Sequence, residues 1–429
     1  MRRNHFCAGK KKGNEYVCDG EVNNSGMVDN AVDLLAGAIK RMQRWRVWEA
    51  WWVVEVMDEW LMARDRLEVQ LRGRYSEEVV NDLLGLIDKF VSYNEKLWNY
   101  WHSVGDEVKK LIEELMGGRV EVIIRPSGVS VHSEHVTLEV NRTNTSMPVQ
   151  LVLKGLESMT IKVSNVFRKT MSREEYEKFV KKMLKALRGG FEETDGTIDK
   201  GYAAMSTSQP WQAITWTMLY PGEVRMYISA VNVNEGDVTI TWYLRSSHKP
   251  LKGKILNDAN KLSEEGLLAL MFTAILGDGS ARIMNNSNGK AIIKITMSSE
   301  EFDAWKFIFE RLQNKFRWHK YPKTNDADDI VFYSGYAIDL ARAMINVLPP
   351  ILRDVLDALG FEKWERIKRI AEMEVKFRRG EVQVIVAGYK FTVDIQRGTV
   401  VLVHPVRTED EAKNVIETLK TVYGDEFHT

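Results

Sequence analysis

The chain has 429 residues, of which 44% are hydrophobic, so it is long enough to bury more than one hydrophobic core. Its 60 lysine and arginine residues balance its 60 aspartate and glutamate residues, which excludes a global field that would attract nucleic acid and requires any basic surface to be local. No apolar run reaches the roughly 18 residues that a membrane span needs, so we expect no membrane partner.

The N-terminal segment 1–26 is polar and dotted with glycine and asparagine, and we expect it to be a mobile tail. It holds both cysteines, Cys7 and Cys18, which could form one disulfide but not a framework of bridges. The segment lacks the apolar middle of a signal peptide. These features favour a reducing, cytoplasmic setting. The charged composition and scarcity of proline are typical of a thermophile.

Residues 27–116 show a helical period, in which Trp45, Trp48, Trp52 and Trp60 recur at mostly three- and four-residue steps. We interpret this tryptophan stripe as core or helix-partner packing rather than as a base-stacking surface. The pattern predicts a helical region, which could serve for dimerisation or as an accessory bundle.

Two further regions are rich in alternating, strand-like segments. Residues 117–250 combine such segments with one helix that Ser172 and Glu175 open as a capping box, which predicts a central α/β region. Residues 374–429 alternate over several short strands and then form a helix opened by Thr408 and Glu411. We expect a small C-terminal sheet covered by one helix.

The stretch "LSEEGLLALMFTAILGDGSARI" carries the chemistry. Ser263 can cap a helix that stays apolar until Gly277, and Ala269, Thr273 and Gly277 form one stripe of small residues on it. Such a stripe lets two helix backbones approach closely. Asp278 then lies at the end of the helix, and Gly279 allows a sharp turn into a strand.

Packing of this helix against a matching helix would bring two carboxylates together. Their repulsion becomes favourable when a divalent cation lies between them, and Mg²⁺ is suited to carboxylate and phosphate ligands. A magnesium ion in that position can support phosphodiester hydrolysis. Asp278 is therefore the predicted metal ligand and catalytic acid.

At these residues the sequence resembles the LAGLIDADG family of homing endonucleases and RNA maturases, since "MFTAILGDG" matches the nine-residue family motif. The resemblance implies an α+β fold with an αββαββα unit, an antiparallel saddle sheet backed by helices. Segments that fit all seven elements occur in order between about residues 262 and 360. We assign the LAGLIDADG-like domain to residues 251–373.

The family places its sheet along the DNA groove, and basic residues here are concentrated on the predicted hairpins. The resemblance implies that double-stranded DNA is the partner, with RNA as an alternative. Candidate catalytic lysines near the scissile phosphate are Lys294, Lys320 and Lys323. The candidate nucleic-acid contacts are Arg282, Asn285, Asn286, Lys290, Lys294, Arg317, Lys320 and Lys323.

The sequence shows a single convincing motif, although two-acid chemistry needs two. A homodimer through Ala269, Thr273 and Gly277 would supply the second acid. An intrachain pseudo-repeat is the alternative, because "TMSREEYEKF" from Thr170 resembles "TMSSEEFDAW" from Thr296. In that case "EVKKLIEELMGG" is the candidate degenerate partner helix, and it lacks the acid.

Residues 373–398, "MEVKFRRGEVQVIVAGYKFTVDIQRG", resemble a segment of the paralogous-repeat proteins of hyperthermophilic crenarchaea. This second resemblance implies an archaeal source and carries no catalytic residue. Three functional hypotheses follow: a Mg²⁺-dependent DNA endonuclease, a DNA- or RNA-binding or regulatory protein of the same fold without cleavage, and a structural protein in which the small-residue helix only packs.

Overall fold

The structure is a computed structural model, and it describes residues 5–12, 15–22, 25–141, 149–284, 290–323, 327–374, 383–396, 399–406 and 408–424. The fold is α+β, as the sequence predicts, with helices packed on three β-sheets. Within these residues no helix is both long and apolar enough to cross a membrane.

The N-terminal region combines long helices with a run of strands. Its elements are β1 (His5–Lys12), β2 (Glu15–Glu21), α1 (Ser25–Arg44), α2 (Trp51–Leu71), α3 (Glu77–Gly117), β3 (Glu121–Arg125), β4 (Gly128–His132), β5 (Val136–Asn141), β6 (Val149–Leu153) and β7 (Met159–Val163). Strands β3 to β6 are antiparallel neighbours, and β1 joins them in parallel with β3. Helix α1 contacts β3, β4 and β5, and α3 contacts β5 and β7.

The predicted mobile tail over residues 1–26 is wrong for the described part of that segment. Strands β1 and β2 form a hairpin that a Cys7–Cys18 disulfide closes, with the two Cα atoms 5.5 Å apart. Parallel pairing of β1 with β3 provides hydrogen-bond partners for backbone groups of this segment. The polar composition of the segment did not indicate this pairing.

A first helix-and-strand unit follows the N-terminal region. Its elements are α4 (Val166–Thr170), α5 (Arg173–Phe179), a π-helical stretch (Val180–Leu184), α6 (Lys185–Glu193), β8 (Gly196–Asp199), β9 (Tyr202–Thr207), α7 (Pro210–Leu219), β10 (Gly222–Val233), β11 (Val238–Ser246) and α8 (Lys254–Asn257). Helix α5 opens with the predicted capping box of Ser172 and Glu175.

The second unit contains the predicted motif helix. Its elements are α9 (Glu264–Gly277), β12 (Gly279–Ile283), β13 (Ala291–Ser298), α10 (Ser299–Gln313), β14 (Trp318–Lys323), β15 (Ala327–Tyr333), α11 (Ser334–Val347), α12 (Pro350–Leu359) and α13 (Glu362–Glu372). Ser263 caps α9 by accepting from the backbone N–H of Gly266. Pro350 starts α12, where its missing N–H costs nothing.

The two units match in topology and in register. The strand order β8-β9-β11-β10 of the first unit repeats as β12-β13-β15-β14 in the second. Gly196, the first residue of β8, pairs with Met205, just as Gly279, the first residue of β12, pairs with Ile295. The chain therefore contains an internal duplication of a helix, two strands, a helix and two strands.

The duplication also corrects a predicted boundary. The central region 117–250 spans two different structures, because β3 to β7 belong with the N-terminal helices and α4 to β11 belong to the first unit. Strand alternation is alike in both parts, so composition could not divide them. Pairing of β6 and β7 with β10 joins the first unit and the N-terminal strands into one 11-stranded sheet.

In the tryptophan stripe, Trp52 and Trp60 are fully buried, whereas Trp45 and Trp48 are partly buried and pack against the core. The ring of Trp60 stacks on Phe90 with centroids 4.3 Å apart and meets Trp242 of β11 edge-on at 5.7 Å. Helix α2 also packs against α12, where Tyr75 donates to Asp354. The N-terminal helices thus contact both units.

The C-terminal unit has its own small core. It contains β16 (Gln383–Val386), β17 (Tyr389–Gln396), β18 (Thr399–Val403) and α14 (Glu409–Tyr423). Phe391 of the sheet packs with Val415 and Leu419 of the helix. Thr408 caps this helix at the predicted position.

Candidate active site

Helices α6 and α9 pack against each other along matching stripes of small residues. The stripes are Ala186, Gly190 and Thr194 in α6 and Ala269, Thr273 and Gly277 in α9. A Cβ built on Gly190 would collide with Thr273 Oγ1, and one built on Gly277 would collide with Thr194 Oγ1. The two backbones are therefore as close as glycine permits.

This packing corrects the prediction of a homodimer through Ala269, Thr273 and Gly277. Ala269 and Thr273 are fully buried, and α6 of the same chain occupies the place of a second copy. The proposed partner "EVKKLIEELMGG" is also wrong, because it ends α3 in the N-terminal region. The Thr170 and Thr296 segments open non-equivalent helices and share only their capping boxes.

An acid followed by a glycine ends each of the two helices. Asp195 and Gly196 follow α6, and Asp278 and Gly279 follow α9. A Cβ on Gly279 would lie 2.6 Å from Ile275 Cα, and one on Gly196 would collide with the backbone of the preceding turn. Glycine is needed at both positions because each strand starts close against its own helix.

Asp195 is half-buried and held by a hydrogen-bonded chain. Gln212 of α7 donates its side-chain amide to Asp195 Oδ2, and Thr207 of β9 donates its hydroxyl to the Gln212 carbonyl oxygen. Burial raises the pKa of Asp195 above its ordinary value, while the Gln212 hydrogen bond and the Lys363 ammonium oppose that rise. Asp195 is thus an acid with one oxygen fixed in place.

Asp278 is exposed and has no hydrogen bond or ion pair from its side chain to the described residues. The surrounding protein nevertheless removes part of its hydration. That loss raises the pKa of Asp278, and the nearby carboxylates of Asp195 and Glu301 raise it further. A Cβ built on Gly277, the residue before Asp278, would lie 2.7 Å from Asp195 Oδ2, so the two acids lie close to one another.

Two lysines lie near the acids at the ends of these helices. Lys363 of α13 donates to the carbonyl oxygens of Leu276 and Gly277 at 2.7 Å each, and Lys252 donates to the Gly196 carbonyl at 2.6 Å. Burial lowers the pKa of Lys363, whereas the carboxylates of the centre raise it. Both ammonium groups offset part of the negative charge at the helix ends.

The backbone that carries Lys252 is fixed by two glutamates of α6. Glu192 is fully buried and accepts from the backbone N–H groups of Leu251 and Lys252 at 2.6 and 3.1 Å. Glu193 accepts from Gly253 N–H at 2.6 Å, and burial raises the pKa of Glu193 to about 7. The helix that presents Asp195 therefore also positions the neighbouring lysine.

The two acids fit a hard divalent cation. Both provide oxygen ligands, and their mutual repulsion would be relieved by a cation between them. In the part of the chain that the structure describes, no third carboxylate, histidine or cysteine completes a three-ligand cluster with them. Mg²⁺ would accordingly take its remaining ligands from water and phosphate, as it commonly does.

Each unit presents one face of its sheet away from its helices, and we call this the open face. In β13 the buried residues alternate with partly exposed ones, and α10 and α11 pack on the buried side. In the first unit, Ser206, Tyr243 and Tyr227 form an open-face row. The matching row of the second unit is formed by Thr296, Asp329 and Tyr321.

Several predicted contacts lie on the open face of the second sheet. Arg282 and Lys323 are exposed there. Lys294 pairs across the strands with Ser280, and its ammonium lies 2.6 Å from a carboxylate oxygen of Asp329. Arg282 lies in the strand that follows Asp278, Lys294 lies in the strand paired with it, and Lys323 lies in the strand at the opposite edge of the sheet.

The other predicted contacts are distributed differently. Lys290 is exposed where the hairpin closes, and Arg317 lies over the ring of Tyr336. Asn285 and Asn286 lie outside the described residues.

Lys320 points to the opposite side of the sheet from Arg282 and Lys323. Its ammonium lies 3.9 Å from the Phe302 ring centroid and 2.8 Å from Asp328 Oδ2. In the register, Lys320 takes the place of Met226, which is fully buried in the first unit. The prediction that Lys320 lies with the DNA-facing lysines is therefore wrong.

No protein-family model and no curated protein matches the chain. Among solved structures, the homing endonuclease I-WcaI bound to its DNA recognition sequence matches with 13% sequence identity and a TM-score of 0.27. The match covers 47% of this chain and 100% of that chain. A TM-score of this size does not establish a shared fold.

Sequence reasoning missed Asp195, Gln212, Lys252 and Lys363. The available signal was "ALRGGFEETDG", which repeats the small-residue spacing and the final Asp-Gly of the second helix. This repeat was not recognised because it contains Arg188 and Glu192, and charged residues are usually expected on the surface rather than in a buried helix. Arg188 instead stacks over Tyr220, and Glu192 is the buried acceptor described above.

Proposed function

We propose that the chain binds double-stranded DNA across the open faces of its two sheets and hydrolyses phosphodiester bonds with Mg²⁺ held by Asp195 and Asp278. The observation that carries this proposal is the pair of carboxylates at the ends of two closely packed, equivalent helices. Each helix leads into the first strand of its unit, β8 or β12, so each acid lies where one of the two packed helices meets one of two equivalent sets of four strands.

The residues of the centre have distinct roles in this proposal. Bound Mg²⁺ supplies Lewis-acid polarisation of a phosphate oxygen. Asp195 and Asp278 hold the ion, while Lys252 and Lys363 offset negative charge where the phosphate approaches. Lys294 remains the lysine best placed to meet a phosphate beside Asp278, since it pairs with Ser280 in the strand that follows.

Binding across the sheets is supported by the side chains of the open faces. Each face carries a tyrosine at the same register position, Tyr227 in the first and Tyr321 in the second. Arg225 and Arg245 pair across the first face, and Arg282 and Lys323 lie on the second. Cations of this kind contact phosphates, and long polar side chains can read base edges in the major groove.

The test compares Asp195→Asn and Asp278→Asn with Asp303→Asn, a matched control on the exposed side of α10. We expect each of the first two variants to lose Mg²⁺-dependent cleavage of a plasmid pool with randomised inserts by about 100-fold or more, because losing even an outer-shell partner costs about 10- to 100-fold. Duplex affinity in EDTA should change little. Unchanged cleavage in both variants would remove the acids from the reaction.

A second candidate is DNA or RNA binding without cleavage, and the placement of Lys363 favours it. This ammonium lies near both acids and offsets their repulsion without a metal ion. Salt-sensitive association with duplex DNA or with RNA, together with no cleavage in Mg²⁺ or Mn²⁺, is the result expected of this candidate.

A further inference from the structure

Asp195 and Asp278 differ in the hydrogen bonds that hold their side chains. Asp195 receives a hydrogen bond from Gln212, whose amide is oriented by Thr207. The Thr207 hydroxyl in turn accepts from the backbone N–H of Gln209 at 3.0 Å, which fixes the direction of the whole chain of donors. Thr207 and Gln212 are 5% and 7% exposed, so water competes little for these bonds.

The second unit has no such support. The register that matches Ser206 with Thr296 also matches Thr207 with Met297. Helix α7 begins at Pro210 and α10 at Ser299, so Gln212, the third residue of α7, corresponds to Glu301, the third residue of α10. The hydroxyl of Thr207 is thus replaced by the thioether of Met297, and the amide of Gln212 by a carboxylate that has no N–H to donate.

The surroundings of Asp278 differ accordingly. The Glu301 side chain accepts from the Ser298 backbone N–H, and no side chain among the described residues donates to the Asp278 carboxylate. A carboxylate without a fixed partner must lose rotamer freedom when it binds an ion, whereas Asp195 is already restrained.

We propose that Gln212 is a positioning residue that fixes Asp195 as a ligand, and that its replacement by Glu301 in the second unit makes the two acids unequal ligands of a divalent cation. The inference rests on the proposed metal centre. It adds that Asp195 is the stronger ligand, because one of its oxygens is held and the other is left to bind the ion.

The test measures Mn²⁺ binding to the full-length chain by calorimetry, without nucleic acid. Gln212→Met removes the donor while keeping a similar length, and we expect it to weaken Mn²⁺ binding by about 10-fold, the lower end of the effect of outer-shell partners. Thr207→Val should produce a smaller change in the same direction.

A double-mutant cycle separates positioning from a general structural effect. The loss caused by Gln212→Met should persist in the Asp278→Asn background and disappear in the Asp195→Asn background. The reciprocal variant Met297→Thr with Glu301→Gln should strengthen Mn²⁺ binding in the Asp195→Asn background. Thermal melts of each variant identify any that do not fold.

The outcomes distinguish the inference from the function on which it rests. Absence of Mn²⁺ binding in the unmodified chain overturns the metal centre and the inference with it. Binding that requires both acids, but whose affinity is unchanged by Gln212→Met, overturns the inference alone. An equal loss in both acid backgrounds also overturns it, because Gln212 would then act on the fold rather than on Asp195.

Discussion

Strand alternation decides what a lysine on the second sheet can contact. Lys320 and Lys323 are an odd number of residues apart in β14, so their side chains leave opposite faces. Lys320 is bound to Asp328 beside α10, whereas Lys323 is exposed on the open face. Counting basic residues along the hairpin therefore overestimates the surface available to phosphate.

Salt dependence of duplex binding tests this division of the cations. Arg282→Ala and Lys323→Ala should each reduce the slope of log affinity against log salt concentration by about 0.9, the value for one lost phosphate contact on B-form DNA. Lys320→Met is the control on the opposite face, and its slope should equal that of the unmodified chain. A reduced slope in the control would place Lys320 on the binding surface after all.

At the scale of elements, the contact between α6 and α9 depends on residues without bulky side chains. Gly190→Val would push its side chain into Thr273 and the Leu270 carbonyl. We expect it to lower the free energy of unfolding by about 3 kcal/mol or more, at the upper end of the cost of overpacking. Urea denaturation followed by circular dichroism measures the loss.

Gly37→Ala provides the matched control, because Gly37 lies in α1 and a Cβ there meets no neighbouring atom. Alanine should stabilise that helix by about 1 kcal/mol. If Gly190→Val is tolerated as well as the control, the close contact of the two helices does not exist in solution.

The sequence predicted α9 and not α6 for a physical reason. All eleven residues from Gly266 to Leu276 are buried, and all of them except Thr273 are apolar or glycine. Such a run identifies a buried helix from the sequence alone. Helix α6 buries Glu192 and part of Arg188. The cost of removing these charged groups from water is offset only because residues from other elements form hydrogen bonds with them. Those partners lie far along the chain, and no local pattern reveals them.

At the scale of the whole molecule, one chain supplies both helices and both sheets of the candidate site. We expect a 1:1 complex with duplex DNA and a mass in solution that does not depend on a second copy for binding. Light scattering of the free and bound chain measures both. A complex that forms only with two chains per duplex would contradict the intrachain arrangement.

Much of the architecture was accessible from sequence, including the α+β class and the order of elements in the second unit. The joining of the N-terminal strands to the first sheet was not, because pairing of β6 with β10 connects segments separated by more than seventy residues. Alternation of apolar residues predicts a strand but not its partner. The same limit hid the hairpin of β1 and β2.

Covalent linkage of the two units has a consequence for how the protein can change. In a symmetric dimer every substitution appears twice, so neither half can be altered separately. Here the first unit keeps Gln212 where the second unit has Glu301, and the second unit has gained Lys294 where the first unit holds Ala204. The two units can therefore acquire different binding specificities during evolution. The specificity of one unit could also be changed by mutation without a matching change in the other.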